Sequence, residues 1–267
     1  MPAQLTAYLY ALLFMLIMGA VTWVLGTLKR NVSIVDSIWS LFFLLAAGVF
    51  AWHAEAVTLR ALVVLGLVAV WATRLSVYIT VRNWGHGEDY RYQQIRANNE
   101  PNFVIKSLLI VFGLQAALAW VISVPLLVAV SSDAPVGLLD ALALMLWLVG
   151  FVFEAGGDYQ LTRFKQDPSN SDKVLDSGLW AYTRHPNYFG DACIWWAFYL
   201  FALSAGGWWT VYAPVIMTVL LLKVSGVAML EKTITSRRPG YEDYVRNTNA
   251  FIPGVPARRR LNAEHPS

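Results

Sequence analysis

The residues best able to do chemistry lie in GLWAYTRHPNYFGDACIWW, residues 178–196. Arg184 and His185 precede Pro186, and proline favours the first turn of a helix. A helix is therefore expected to open at about Asn187. Its free N–H groups and partial positive charge, with two basic side chains beside them, make an anion site suited to a phosphate. Asp191 falls one turn beyond Asn187 on the same face, so a plain helix cap with an Arg184–Asp191 ion pair accounts for part of the same pattern. A second polar stretch, EKTITSRRPGYEDYVRNTNAFIPG at residues 231–254, places Tyr241, Tyr244 and Arg246 beside a basic cluster. Aromatic and basic anchors at a membrane surface would explain some of it without a ligand.

More ionisable groups stand inside apolar runs. Asp36 shares a helical face with Trp39 and Ser40; Arg74 and Tyr78 are one turn apart; so are Glu154 and Asp158, with Thr162 a turn further. Lys223 lies two turns before Glu231 on one face. Polar groups in a bilayer span are costly and are functional candidates by default. Pairs that merely hold helices together, such as Asp36 with Arg74, are the plainer account of any one of them. Taken together, on four helices and toward one end, they predict a polar cavity opening to the cytoplasmic side.

The elements that must position these groups follow from composition. Of 267 residues, 57% are hydrophobic and 14% charged, against about 25% charged in ordinary soluble domains. Apolar runs alternate with short polar knots, and a helix needs about 20 apolar residues to span the hydrocarbon core. The reading is an all-α polytopic membrane protein of about seven spans, at about residues 5–28, 34–52, 59–81, 104–130, 138–158, 188–204 and 208–229. The first has no basic segment before it and is read as a retained helix, not a cleaved signal. Lys29, Arg30, Arg82, Arg91, Arg96, Arg163, Lys165, Lys173 and Arg184 fall on one face, and the opposite loops are nearly bare. The positive-inside rule then puts the N-terminus outside, the C-terminus in the cytoplasm and the chain in the cell inner membrane. Residues 1–257 read as a single transmembrane domain, with spans one to four on the substrate side and residues 138–254 as a cofactor-binding half; residues 258–267 are a polar tail. The loop at residues 85–96, GHGEDYRYQQIR, reads either as an amphipathic lid or as a solvated connector.

The stretches LWAYTRHPNYFGD and PGYEDYVRNTNAFIP resemble the C-terminal region of the steroid 5α-reductase-like membrane reductases, in a largely uncharacterised bacterial branch. VDSIWS, RLSVYITVRNWGHGEDYRY and FEAGGDYQLTRFK extend the resemblance over most of the chain. It implies an NADPH pocket formed by the last three helices and a lipid-like enone entering between helices. Carried over by position, the cofactor shell comprises Asp158, Arg163, Lys165, Tyr182, Arg184, His185, Asn187, Tyr188, Asp191, Trp195, Glu231, Tyr241 and Tyr244. The family's Gln-Glu pair in an early span is missing, and Asp36 is the nearest acid, so steroid itself is not implied. The mechanism expected is reduction of a carbon–carbon double bond conjugated to a carbonyl. Tyr78 beside Arg74 would donate the proton, since a nearby cation favours its release from a phenol, and Asp36 would orient that pair.

RHPNY also occurs in membrane methyltransferases, so an S-adenosylmethionine-dependent enzyme acting on a prenyl or phospholipid substrate is the alternative. A transporter lined by Asp36, Arg74, Glu154 and Lys223 is disfavoured by the lack of an internal repeat. No G-x-G-x-x-G or G-x-S-x-G is present, the four histidines are scattered, and Cys193 is the sole cysteine. A soluble nucleotide fold, a serine hydrolase elbow, a metal site and a disulfide are thereby disfavoured. A net charge of +3 with basic residues at helix ends does not signal nucleic acid.

Overall fold

A computed structural model describes residues 3–224 and 240–256. Among the described residues all regular structure is helical. The elements are α1 (Ala3–Leu28), α2 (Ile34–His53), α3 (Leu59–Asn83), α4 (Tyr90–Asn99), α5 (Phe103–Ile122), α6 (Val124–Val130), α7 (Leu138–Gln166), α8 (Pro186–Ser204), α9 (Tyr212–Val219) and α10 (Tyr241–Asn247). Five of them, α1, α2, α3, α5 and α7, are long and apolar enough to cross a membrane. The chain is thus a multi-pass helical membrane protein. Of the other two expected spans, α8 has 19 residues and the apolar helix at Trp208–Lys223 is shorter. The rest of the seventh span and the polar tail lie outside the described residues.

The fourth expected span is not continuous. Residues Leu108–Gly113 of α5 form a π-helical turn, and α5 ends at Ile122 before α6 begins with Pro125 in its first turn. Proline has no N–H to give and its ring crowds the carbonyl four residues back. At the break the Ser123 N–H is shared between the Ala119 and Trp120 carbonyls, at 2.9 and 3.2 Å.

The chain forms two compact units. One comprises residues up to Asp140 with Phe201–Ala213. Lipid tails are as apolar as leucine, so burying side chains between membrane helices gains little of the usual hydrophobic free energy; close packing and polar clasps must hold the helices. Both are present. Tyr8 of α1 and Trp120 of α5 stack at 4.2 Å, with the Trp120 indole N–H donating to the Tyr8 carbonyl at 2.8 Å and the Tyr8 hydroxyl to the Trp120 carbonyl at 3.3 Å. The Ser40 hydroxyl of α2 donates to Ala72 O of α3 at 2.8 Å, beside the fully buried Phe42, Phe43, Phe50 and Trp71.

The strongest clasp centres on Arg60, 1% exposed. Its Nε and Nη2 donate to Asp140 Oδ1 and Oδ2 at 2.7 and 3.0 Å. Nη1 reaches Ala134 O at 3.0 Å, and Nη2 reaches Pro135 O at 2.9 Å and Ser204 Oγ at 3.1 Å. Asp140 is saturated in turn by the Gly137 N–H and the Ser204 hydroxyl, at 2.8 and 2.6 Å. Residues 131–140 are thereby fastened to the starts of α3 and α7 and to the end of α8.

The loop after α3 is a structured cap and not a solvated connector. α4 presents Tyr92 and Ile95 to an apolar cluster with Val32, Val35, Phe103, Val111 and Phe112. Its mixed polar sequence has little intrinsic drive to be helical, and ion pairs supply it. Arg96 makes a two-pronged contact with Glu88, at 2.9 and 2.8 Å, and Glu88 also accepts from the Val32 N–H at 2.9 Å. Burial pushes the Glu88 carboxyl up, but the donations from Arg96 and Val32 outweigh it and hold the group below its usual range. A depressed carboxylate stabilises the fold above its unfolded pKa of about 4.3, and that contribution is lost as pH falls through the folded value. Glu88→Gln should therefore speed proteolytic cleavage of the α3–α5 connection at pH 7, and should remove part of the wild type's loss of resistance on acidification. Equal cleavage rates at pH 7 would show that the ion pair holds nothing.

The other unit comprises Ala141–Leu200 and the described residues from Pro214 on. There α7 and α8 cross at backbone contact. A Cβ built on Gly190 would lie 2.4 Å from both Glu154 N and Gly150 O, and one on Gly150 would lie 2.6 Å from Gly190 O. Two turns along α7, a Cβ on Gly157 would meet Pro186 at 3.0 Å and Asn187 N at 3.3 Å. The glycines of FEAGGD and NYFGD are spaced to let two helix backbones touch.

Candidate functional site

The close crossing sets the site on the second unit. Since Gly157 admits the start of α8, Asp158, the next residue, comes within reach of Asn187: Nδ2 donates to Asp158 Oδ1 at 3.1 Å. Proline opens α8 as expected, and the His185 carbonyl accepts the first helical bond, from Phe189 N at 3.0 Å. The His185 and Tyr188 rings stack, with centroids 5.5 Å apart and planes 10° apart. Asp158, Arg184 and His185 are 3%, 8% and 4% exposed. Three ionisable side chains are thus buried around one helix start.

Arg184 does something the sequence did not suggest. Its Nη1 donates to the Val245 and Thr248 carbonyls, at 3.0 and 2.5 Å, and so caps the C-terminus of α10. The chain on either side joins in. Arg184 N donates to Asn249 O at 2.9 Å and Gly254 N to Tyr182 O at 2.8 Å. The Thr183 hydroxyl donates to Phe251 O at 2.8 Å. Tyr241 and Tyr244 are buried, with centroids 5.8 Å apart, and the Tyr244 hydroxyl donates to Trp180 O at 2.6 Å. Trp195 is fully buried and packs edge-on against Phe198 at 5.6 Å; it belongs to the core of α8. Asp191 is buried one turn into α8.

Arg163 and Lys165 are exposed on the last turn of α7. Arg163 helps line an open cleft of about 390 Å³ with Tyr159, Gln160, Phe164, Asn170 and Gly178. Gly178 has φ +62°, and a Cβ there would lie 2.6 Å from the Gln160 amide, whose oxygen accepts the Leu179 N–H at 2.9 Å. Glu231 lies outside the described residues.

On the first unit, Arg74 and Tyr78 meet as expected, the guanidinium 5.3 Å from the ring centroid. Arg82 approaches the same ring at 5.8 Å. Asp36 does not join them. Its Oδ1 accepts the Tyr92 hydroxyl at 2.5 Å and its Oδ2 accepts Arg91 Nη2 at 2.8 Å, while Gln115 Nε2 donates to the Tyr92 oxygen at 3.0 Å. The expected pairing of Asp36 with Arg74 is thus replaced by a pairing with α4. The reason is geometric: α4 folds back on the start of α2, and a nearby guanidinium and phenol saturate the carboxylate. Arg91 is held charged against its burial by Asp36 and Asp89, and the Tyr92 hydroxyl is held protonated by its burial and by Asp36.

A family model described as "Protein of unknown function (DUF1295)" matches residues 22–248, which takes in α2 to α8, the RHPNY motif and all of α10. The chain belongs to the DUF1295 family. An uncharacterised protein of the fission yeast Schizosaccharomyces pombe is similar to this DUF1295 chain, at 24% identity over 289 aligned residues covering 97% of this chain and 81% of that protein. No solved structure matches. Among the described residues of the DUF1295 chain, no three His, Cys, Asp or Glu side chains converge as a metal site would require.

Proposed function

We propose that the protein is an integral-membrane, NAD(P)H-dependent reductase of a carbon–carbon double bond conjugated to a carbonyl in a lipid-like substrate. The reading includes seven crossings, the N-terminus outside, the C-terminus in the cytoplasm and a place in the cell inner membrane; the bias of Lys and Arg to one set of loops supports the orientation. The observation that carries it is the burial of Asp158, Arg184 and His185 around the start of α8, within the segments that resemble the steroid 5α-reductase-like enzymes. Buried ionisable groups in a membrane helix bundle are retained at a cost, and ligand binding is the usual reason.

The residues suit a dinucleotide in kind. Arg163 and Lys165 offer exposed cations to phosphate groups, the Asp158–Asn187 pair offers an acceptor and donors to ribose or carboxamide, and the His185–Tyr188 stack offers a flat aromatic surface. Bound NADPH would supply the hydride. Tyr78 would hold a proton at its phenolic oxygen and donate it as negative charge develops on the substrate carbonyl, with the Arg74 guanidinium stabilising that charge. Asp36 would serve this reaction from one step away, by keeping α4 closed on the start of α2.

The protein purified in detergent should bind NADPH saturably at micromolar or better affinity. Tyr78→Phe should retain that affinity and lose enone reduction by 100-fold or more, in the range of a removed acid catalyst. Saturable binding of S-adenosylmethionine with none of NADPH would replace reduction with methyl transfer, and full activity in Tyr78→Phe would remove Tyr78 from the chemistry.

A further inference from the structure

We propose that Arg184 is a positioning residue: it closes a ring of contacts that fixes the residues 241–254 segment against the start of α8, and it serves ligand binding through that segment and not by touching a phosphate. The inference rests on the cofactor reading above and assigns Arg184 a different task within it.

The ring can be followed link by link. Gly157 of α7 admits Pro186 and the backbone of Asn187. Two residues before Asn187 is His185, and before it Arg184, whose guanidinium holds the Val245 and Thr248 carbonyls at the end of α10. One turn back on α10, the Tyr244 hydroxyl donates to Trp180 O. The Trp180 indole N–H donates to Gly157 O at 3.1 Å, and the ring closes on the residue next to Asp158. The main chain runs parallel to it through the Arg184 N–H to Asn249 O and the Gly254 N–H to Tyr182 O.

α10 has seven residues, too few to be stable alone. The last carbonyls of any helix lack intrahelical partners, and a cation at that end also meets the negative pole of the helix dipole. Both donations leave one nitrogen, Nη1; a lysine ammonium also carries its donors on one nitrogen, but as a compact, strongly hydrated charge on a flexible stem, and so replaces the contact only in part. The seven-residue motif YTRHPNY is therefore divided. Its first three residues fasten the C-terminal segment, and its last four open α8 and present His185, Asn187 and Tyr188.

The test is hydrogen exchange on the free protein in detergent, joined to NADPH titration over a range of salt. In Arg184→Ala, amides within residues 241–254 should exchange at least tenfold faster with no ligand present, while α7 amides stay as in the wild type. NADPH affinity should fall at least tenfold with the same salt dependence as the wild type, since no phosphate contact is lost. Arg184→Lys should lie between the two in both readouts. Unchanged exchange in free Arg184→Ala, together with a weaker salt dependence of NADPH binding, would overturn the proposal and make Arg184 a direct ligand of the phosphate. Should Arg184→Ala fail to fold, Tyr244→Phe opens the same ring at its opposite link and should give the same exchange pattern, at least threefold; no change there overturns the proposal as well. If the wild type binds no NADPH, the reductase reading fails, and the exchange measurements on the free protein still decide whether Arg184 fastens the segment.

Discussion

Gly190→Ala is expected to destabilise the protein by about 3 kcal/mol or more, the upper end for overpacking at a site that cannot relax. The added methyl would sit 2.4 Å from Glu154 N and Gly150 O. Both are backbone atoms of α7, and neither can rotate away as a side chain would. Relief requires α7 and α8 to separate, which pulls Asn187 from Asp158 and opens the site at its base. Thermal unfolding in detergent measures the effect, with Gly48→Ala as the control, since a Cβ there meets nothing within 4 Å. Equal midpoints for the two variants would refute the close crossing.

Asp140→Ala is the second large effect. It leaves the Arg60 guanidinium buried with only carbonyl and hydroxyl partners, and breaking a buried ion pair from one side costs about 3–5 kcal/mol. Removing both charges, as Arg60→Leu with Asp140→Leu, should recover part of that loss, because an apolar pair of similar volume escapes the desolvation penalty. Recovery should be incomplete: Ala134 and Pro135 carbonyls lose the donor they now have. A double variant as unstable as the sum of the singles would mean the two side chains act independently.

The helical membrane class was legible because long apolar runs are a local signal. α1, α2, α3 and α7 begin within a few residues of the apolar limits, and Pro186 marked the start of α8. What escaped was set by partners distant in the chain. Arg60 and Asp140 each lie just inside an apolar run, where a charge reads as an ordinary helix end; only their meeting across 80 positions makes them a clasp. α4 was ambiguous for the same reason. Its helix is held by Asp36 across 55 positions and by Glu88 through Val32, and its own periodicity is weak. The interruption between α5 and α6 did carry a local signal, Pro125, which the apolarity of its neighbours masked. Around RHPNY, the FEAGGD acid meets the motif's asparagine, a contact that the glycines between the two helices make possible. That Arg184 turns toward main-chain carbonyls could not be read from its neighbours, because its acceptors lie 61 and 64 residues away.

The π-helical turn at Leu108–Gly113 bears on how relatives should be lined up with this chain. A π turn takes one residue more than an α turn to complete, and each residue of an α-helix advances about 100°. A homologue whose fifth helix is uninterrupted would match this one only with a single gap near position 110. Without that gap, every position after it would be compared with a residue facing about 100° away, and Gln115, which donates to Tyr92, would be paired with the residue that takes the place of Ala116, which is fully buried.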